Sequence, residues 1–210
     1  MDKIKIILTL FLAVTALSAC KAERVVVEVE EGAIQDAISG GVGEAEFSAT
    51  FETSRSLDER VQSKIDAVER AVRAHLDITD FLVTGDRGGT QIEIEGYLPI
   101  TTNADENAPW HLLVEPFGQD GHVVRLAIGS DFNSFAREIE VVDMGFRPDR
   151  FHPTTIRLRA SDAHVTVPAG YVNGEARIMW STVLDGRTNI RFGGGIFNDV
   201  GGAFIIRVSN

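Results

Sequence analysis

Cysteine is almost absent from this chain: Cys20 is the only one in 210 residues. No disulfide can form within the molecule, so the folded part must stabilise itself through its core, and a disulfide-stapled scaffold is excluded. Long hydrophobic runs are missing too. The most apolar stretch, Ile6 to Ala16, spans about 11 residues, well short of the roughly 20 that a helix needs to cross a membrane core. Positive charge is scarce, with 20 Lys and Arg against 31 Asp and Glu and a formal net charge of −11. A field of that sign repels phosphate backbones, which argues against nucleic acid as a partner.

The short chemical signatures are absent as well. The five histidines, His75, His111, His122, His152 and His164, form no His-Glu-x-x-His and no His-x-His. That leaves no local metal signature. Gly193-Gly194-Gly195 is not followed by Lys-Ser or Lys-Thr, and no Gly-x-Ser-x-Gly elbow occurs. Asn103-Ala104-Asp105-Glu106-Asn107 is dense in oxygen side chains but lacks the spacing and distal glutamate of a calcium hand. No catalytic residue, metal or cofactor is expected.

What is present begins at the N-terminus. Lys3 and Lys5 precede the apolar stretch, and Leu17-Ser18-Ala19-Cys20 closes it, which is the layout of a secretory signal. This tetrad resembles the lipobox of bacterial lipoprotein precursors, over the first 20 residues only. The resemblance implies cleavage before Cys20, diacylglycerol on its thiol and acylation of the new amino group. It makes residues 1–19 a signal peptide and Cys20 the lipidation site, the link to a membrane. Lys21 stands where an Asp favours inner-membrane retention, so the resemblance points to the outer membrane, facing the periplasm.

Residues 20–43 then read as a lipidated tether or edge strand with a flexible link at Ser39 to Gly43. Residues 44–210 form the globular part, with a candidate sub-boundary at 101–109. Charge is divided unevenly. Residues 147–210 carry eight arginines against five acids, and residues 20–146 carry the acidic excess. The arginines either face an acidic partner or balance the acidic half across the fold.

Ser56 with Glu59 matches a capping box, and Val61, Ile65, Val68, Val72 and Leu76 make one apolar stripe. The spacing predicts a long amphipathic helix over 57–76, with Asp66–Arg70 and Glu69–Arg73 pairs on its outer face. Most of the remainder alternates with period two. The expected fold is α+β: a strand-rich, two-layer domain of about ten mostly antiparallel strands and one long helix. Asp131 to Val142 reads ambiguously: Phe132, Phe135 and Ile139 would suit a short helix, with Asp131 as its cap. A turn at Ser161-Asp162 would set His164 opposite Arg159.

One connection stands out, residues 144–153, which mixes aromatics, arginines and prolines. Phe146, Arg147, Arg150, Phe151 and His152 are its candidate partner-binding residues, because Arg and aromatics are enriched at interaction hot spots. The functional expectation is a membrane-anchored, non-enzymatic binding or accessory lipoprotein of the cell envelope, with an envelope protein as partner. The alternative is an envelope hydrolase whose acid and base come from distant strands.

Overall fold

A computed structural model describes residues 22–85, 89–142, 144, 148, 153–193, 196 and 202–208. In chain order the elements are β1 (Ala22–Glu30), α1 (Glu31–Ile38), β2 (Gly43–Thr53), α2 (Glu59–His75), β3 (Asp77–Gly85), β4 (Thr90–Thr101), β5 (Trp110–Phe117), β6 (Gly121–Ile128), α3 (Phe132–Val141), β7 (Thr154–Val172), β8 (Glu175–Phe192) and β9 (Ala203–Arg207).

Seven strands close into a barrel in the order β1-β2-β4-β5-β6-β9-β7, and β7 returns to pair with β1. β3 adds to β4 and β8 to β7 outside this ring. Two contacts in the ring are parallel, β4 with β5 and β1 with β7; the others are antiparallel. Alternating residues feed one continuous core: Val27 and Val29 of β1, Ile156 and Leu158 of β7, Phe204 and Ile206 of β9. α1 adds Ile34 and Ala37 to it, both fully buried.

The two-layer α+β reading is therefore corrected. The sheet curves round until its first and seventh ring members meet, and three helices rather than one lie against it. Local periodicity reports which face of a strand is buried, but it does not report which distant strand it meets. Residues 20–43 change meaning for the same reason. From Ala22 the expected tether or edge strand is a barrel stave with β2 on one side and β7 on the other. Gly43 lies tight against α1, where an added Cβ would stand 2.1 Å from the Ala33 carbonyl oxygen.

α2 buries Val61, Ile65, Val68 and Val72 along the stripe, but its cap differs from the expected Ser56. Asp58 is the cap residue, and its Oδ1 accepts from the Val61 amide at 2.8 Å. Glu69 and Arg73 pair at 2.9 Å, whereas Asp66 accepts from Gln62 instead of meeting Arg70.

The turn expected at Ser161-Asp162 does not end a strand: β7 runs unbroken from Thr154 to Val172, and β8 from Glu175 to Phe192. Asp162 (φ 63°) and Gly186 (φ 120°) bend the ribbon without ending it. His164 consequently faces Val183, not Arg159.

At the seam the arginines of the C-terminal third meet acids of β1. Arg157 Nη1 lies 2.7 Å from Glu28 Oε1, Arg187 lies 3.8 Å from the same carboxylate, and Arg159 lies 3.8 Å from Glu30. Exposed pairs of this kind contribute at most about 1 kcal/mol each, so burial stabilises the seam and sets its register, which the charges reinforce. Leu158→Ala, at a fully buried seam position, is expected to cost about 2–5 kcal/mol in urea denaturation. Arg159→Ala, whose side chain is 63% exposed, is expected to shift stability by no more than about 0.5 kcal/mol.

Candidate interaction surface

β7 and β8 form a long hairpin turned at Asn173 (φ 49°) and Gly174 (φ 88°), the two positive φ values that a tight primed turn requires. The hairpin coils until its tip reaches its own base. The Asn173 amide donates to the Asn189 carbonyl at 2.8 Å, and Asn173 Oδ1 accepts from the Asn189 amide at 3.0 Å. The Arg191 guanidinium stacks 4.2 Å above the Tyr171 ring. Between tip and base, residues 176–187 of β8 pair only with β7 among the described residues, which leaves their outer edge without a ladder partner.

That open stretch is apolar where an edge strand is usually defended by charge. Ile178 is 76% exposed, Met179 70% and Val183 58%. Trp180 and Leu184 turn inward and pack against the core. The outward positions Glu175, Arg177, Met179, Ser181, Val183, Asp185 and Arg187 are all exposed. An acid or a base thus stands at both ends of an apolar and small centre. The sequence signal was the run Ile178-Met179-Trp180 set between charges, which period-two counting passes over because it occupies both faces of the strand.

The residues singled out from sequence lie elsewhere. Cys20, Phe146, Arg147, Arg150, Phe151 and His152 fall outside the described residues. Met144, at the start of that connection, is buried in the core. The loop rich in oxygen side chains folds on itself: Asn103 Oδ1 accepts from the Asp105 amide at 3.1 Å, and the Glu106 carbonyl accepts from the Ser130 amide at 3.0 Å. Glu93 accepts from Gln91 on the exposed face of β4.

Two histidines are held in opposite ways. His75, at the end of α2, places Nδ1 2.5 Å from Asp131 Oδ2, so the carboxylate expected to cap α3 is engaged across the helix pair instead. Nε2 lies 3.1 Å from Glu138 Oε1, within ion-pair reach but out of line for a hydrogen bond. The ring also meets Phe135 edge-on at 5.6 Å, and Phe135 in turn meets Trp110. Burial disfavours charge on His75, but the Asp131 and Glu138 carboxylates outweigh it and hold the pKa above the ordinary value.

His111 is fully buried in β5, and neither ring nitrogen is bonded among the described residues. Burial pushes its pKa down; Glu106 opposes this weakly and Arg125 reinforces it.

An acyl-transfer site would need an activated nucleophile and an oriented base. The nearest approach is Ser181 Oγ, 3.3 Å from His164 Nε2, and Ser181 also bonds Thr166 at 2.8 Å. No carboxylate bonds His164 among the described residues. Between α2 and α3 lies an open groove of about 410 Å³, lined by Ala67, Arg70, Ala71, Arg137, Glu138 and Val141. Glu138 there is already turned to His75.

Stability is expected to pass through a maximum near pH 6.5. The His75 contribution is complete below about pH 6.5 and is lost as pH rises through its raised folded pKa. The His111 contribution is complete above about pH 6.5 and is lost as pH falls toward its lowered folded pKa. In urea midpoints measured from pH 5 to 9, His75→Gln flattens the alkaline limb. His111→Leu flattens the acid limb and stabilises by about 1 kcal/mol, because two buried unbonded nitrogens are removed. The chain matches no family model and no curated protein.

Proposed function

We propose that the chain is a lipid-anchored lipoprotein of the bacterial cell envelope, acting as a non-enzymatic binding or accessory protein. Cys20 carries the acyl chains, and the outer membrane facing the periplasm is the site of anchorage. The barrel engages an envelope protein through the outer edge of β8. The observation that carries this reading is the open apolar stretch at Ile178, Met179 and Val183, in the part of β8 that pairs on one side only among the described residues. An unpaired row of backbone groups beside exposed apolar side chains is what strand addition uses, with main-chain bonds for affinity and alternate side chains for choice of partner. The anchor is supported by Leu17-Ser18-Ala19-Cys20 after a short apolar stretch. Two acyl chains provide stable attachment where one gives only marginal binding.

Metabolic labelling with a palmitate analogue is expected to tag the full chain and to be lost in Cys20→Ser. Equal labelling of both forms would remove the anchor from the reading. Recovery of the acylated protein from its own membrane, with identification of what accompanies it, tests the surface. Met179→Glu at the exposed centre of β8 is expected to release the companion while leaving the circular dichroism spectrum and melting temperature unchanged. A companion that stays bound would move the contact away from β8.

A further inference from the structure

We infer that the partner on this edge is a second copy of the chain, joined β8 to β8 in antiparallel order about a two-fold axis at Ser181. The inference rests on the binding role assigned above to the β8 edge, and it names the occupant. The pairing register with β7 puts Glu175, Arg177, Met179 (φ 53°), Ser181, Val183, Asp185 and Arg187 at alternate positions of β8, all of them exposed. With Ser181 opposite its own copy, Val183 meets Met179, Asp185 meets Arg177, and Arg187 meets Glu175. Every charge faces its opposite, the two apolar residues face each other, and the smallest side chain sits at the axis. Two-fold symmetry repeats each contact, so the strand is complementary to itself.

Neighbouring registers lose this match. Moving the axis one residue toward the N-terminus sets Glu175 against Asp185. Moving it one residue toward the C-terminus sets Arg177 against Arg187. A parallel pairing brings each charge beside its own copy. Like charges directly opposite destabilise a strand pair, so one register stands apart.

The contacts these groups make within the chain do not compete with it. Arg177 pairs with Glu175 on its own exposed surface, and Arg187 touches Glu28 only at 3.8 Å, a carboxylate already bonded by Arg157. In the dimer Glu175 and Arg177 of one copy meet Asp185 and Arg187 of the other, forming one four-charge cluster at each end. The pairing also supplies ladder partners to the open part of β8 in both molecules, and an isologous contact closes there without growing a fibre. Anchoring both copies in one membrane raises their effective concentration and lets a modest strand contact suffice.

The test uses the full acylated chain. In detergent solution, sedimentation is expected to show a dimer. Arg177→Glu and Asp185→Arg each weaken it about tenfold, because each opposes like charges twice, and the swap Arg177→Asp with Asp185→Arg restores it. In native membranes, mild oxidation of Ser181→Cys is expected to give a disulfide-linked dimer, since directly opposed antiparallel residues lie within disulfide reach. The parent chain, with Cys20 alone, gives none.

A chain that stays monomeric at all concentrations and gives no Ser181→Cys cross-link overturns the second copy as partner. So does a dimer that the charge swap fails to restore. If the chain is monomeric yet another envelope protein is released by Met179→Glu, the binding role of β8 stands and the second copy alone fails. If neither association responds to changes in β8, both readings fail.

Discussion

The parallel pairing of β1 with β7 is the contact on which the rest of the molecule depends. It runs from Val25 beside Thr154 to Glu30 beside Arg159, joining segments about 130 positions apart. Without it the sheet is an open ribbon with two edges and no reason to curl. With it, Val27, Val29, Ile156 and Leu158 become neighbours inside one core, and seven strands lose their free edges together. The Glu28 carboxylate sits where this seam meets β8 and touches arginines from both β7 and β8. A shift of one residue along the seam would turn every side chain of β1 to the wrong face, so burial makes the register strict and the ion pairs reinforce it.

Closure also decides where the molecule can still accept a strand. Only β3 and β8 lie outside the ring among the described residues, and they are finished differently. β3 is 9 residues long, is irregular between Ile78 and Asp80, and carries Asp77 and Asp80. Those are the devices by which natural sheets discourage edge pairing. β8 is 18 residues long and, although it is bent at Met179 (φ 53°) and Gly186 (φ 120°), keeps Ile178, Met179 and Val183 in solvent. The contrast within one sheet makes the apolar edge of β8 a feature to be explained rather than leftover surface.

How much of this was legible in the sequence depends on the range of the interactions. The buried stripe of α2 could be read because helix contacts repeat within a few residues. Its cap lies two positions beyond the one the Ser56 pattern predicts, because Ser56 and Asp58 are both competent acceptors and only the fold chooses between them. Val25-Val26-Val27 reads ambiguously: Val26 and Val27 are buried on opposite faces of β1, and a strand covered on both faces gives a continuous apolar run, which offers little to distinguish a stave from a tether. Asp162 and Gly186 carry the composition of turns yet bend an unbroken ribbon, so local composition does not show that the strands continue through them. The β8 edge was missed for a related reason. Exposure of Ile178 follows from the coiling of the hairpin, which no local pattern encodes.

Charge works at two ranges in this molecule, and the two act in opposite directions. A net charge of −11 makes any two copies repel at a distance, which discourages indiscriminate association of an exposed apolar strand. At physiological ionic strength that repulsion fades beyond about 8 Å. Once two β8 edges come within contact range, the local pattern of Glu175, Arg177, Asp185 and Arg187 governs, and it favours one alignment while penalising the next on either side. The apolar centre supplies the attraction and the flanking charges choose the register. Raising the salt concentration relaxes both the long-range repulsion and the charge matching, so selectivity for the register declines before the contact itself does.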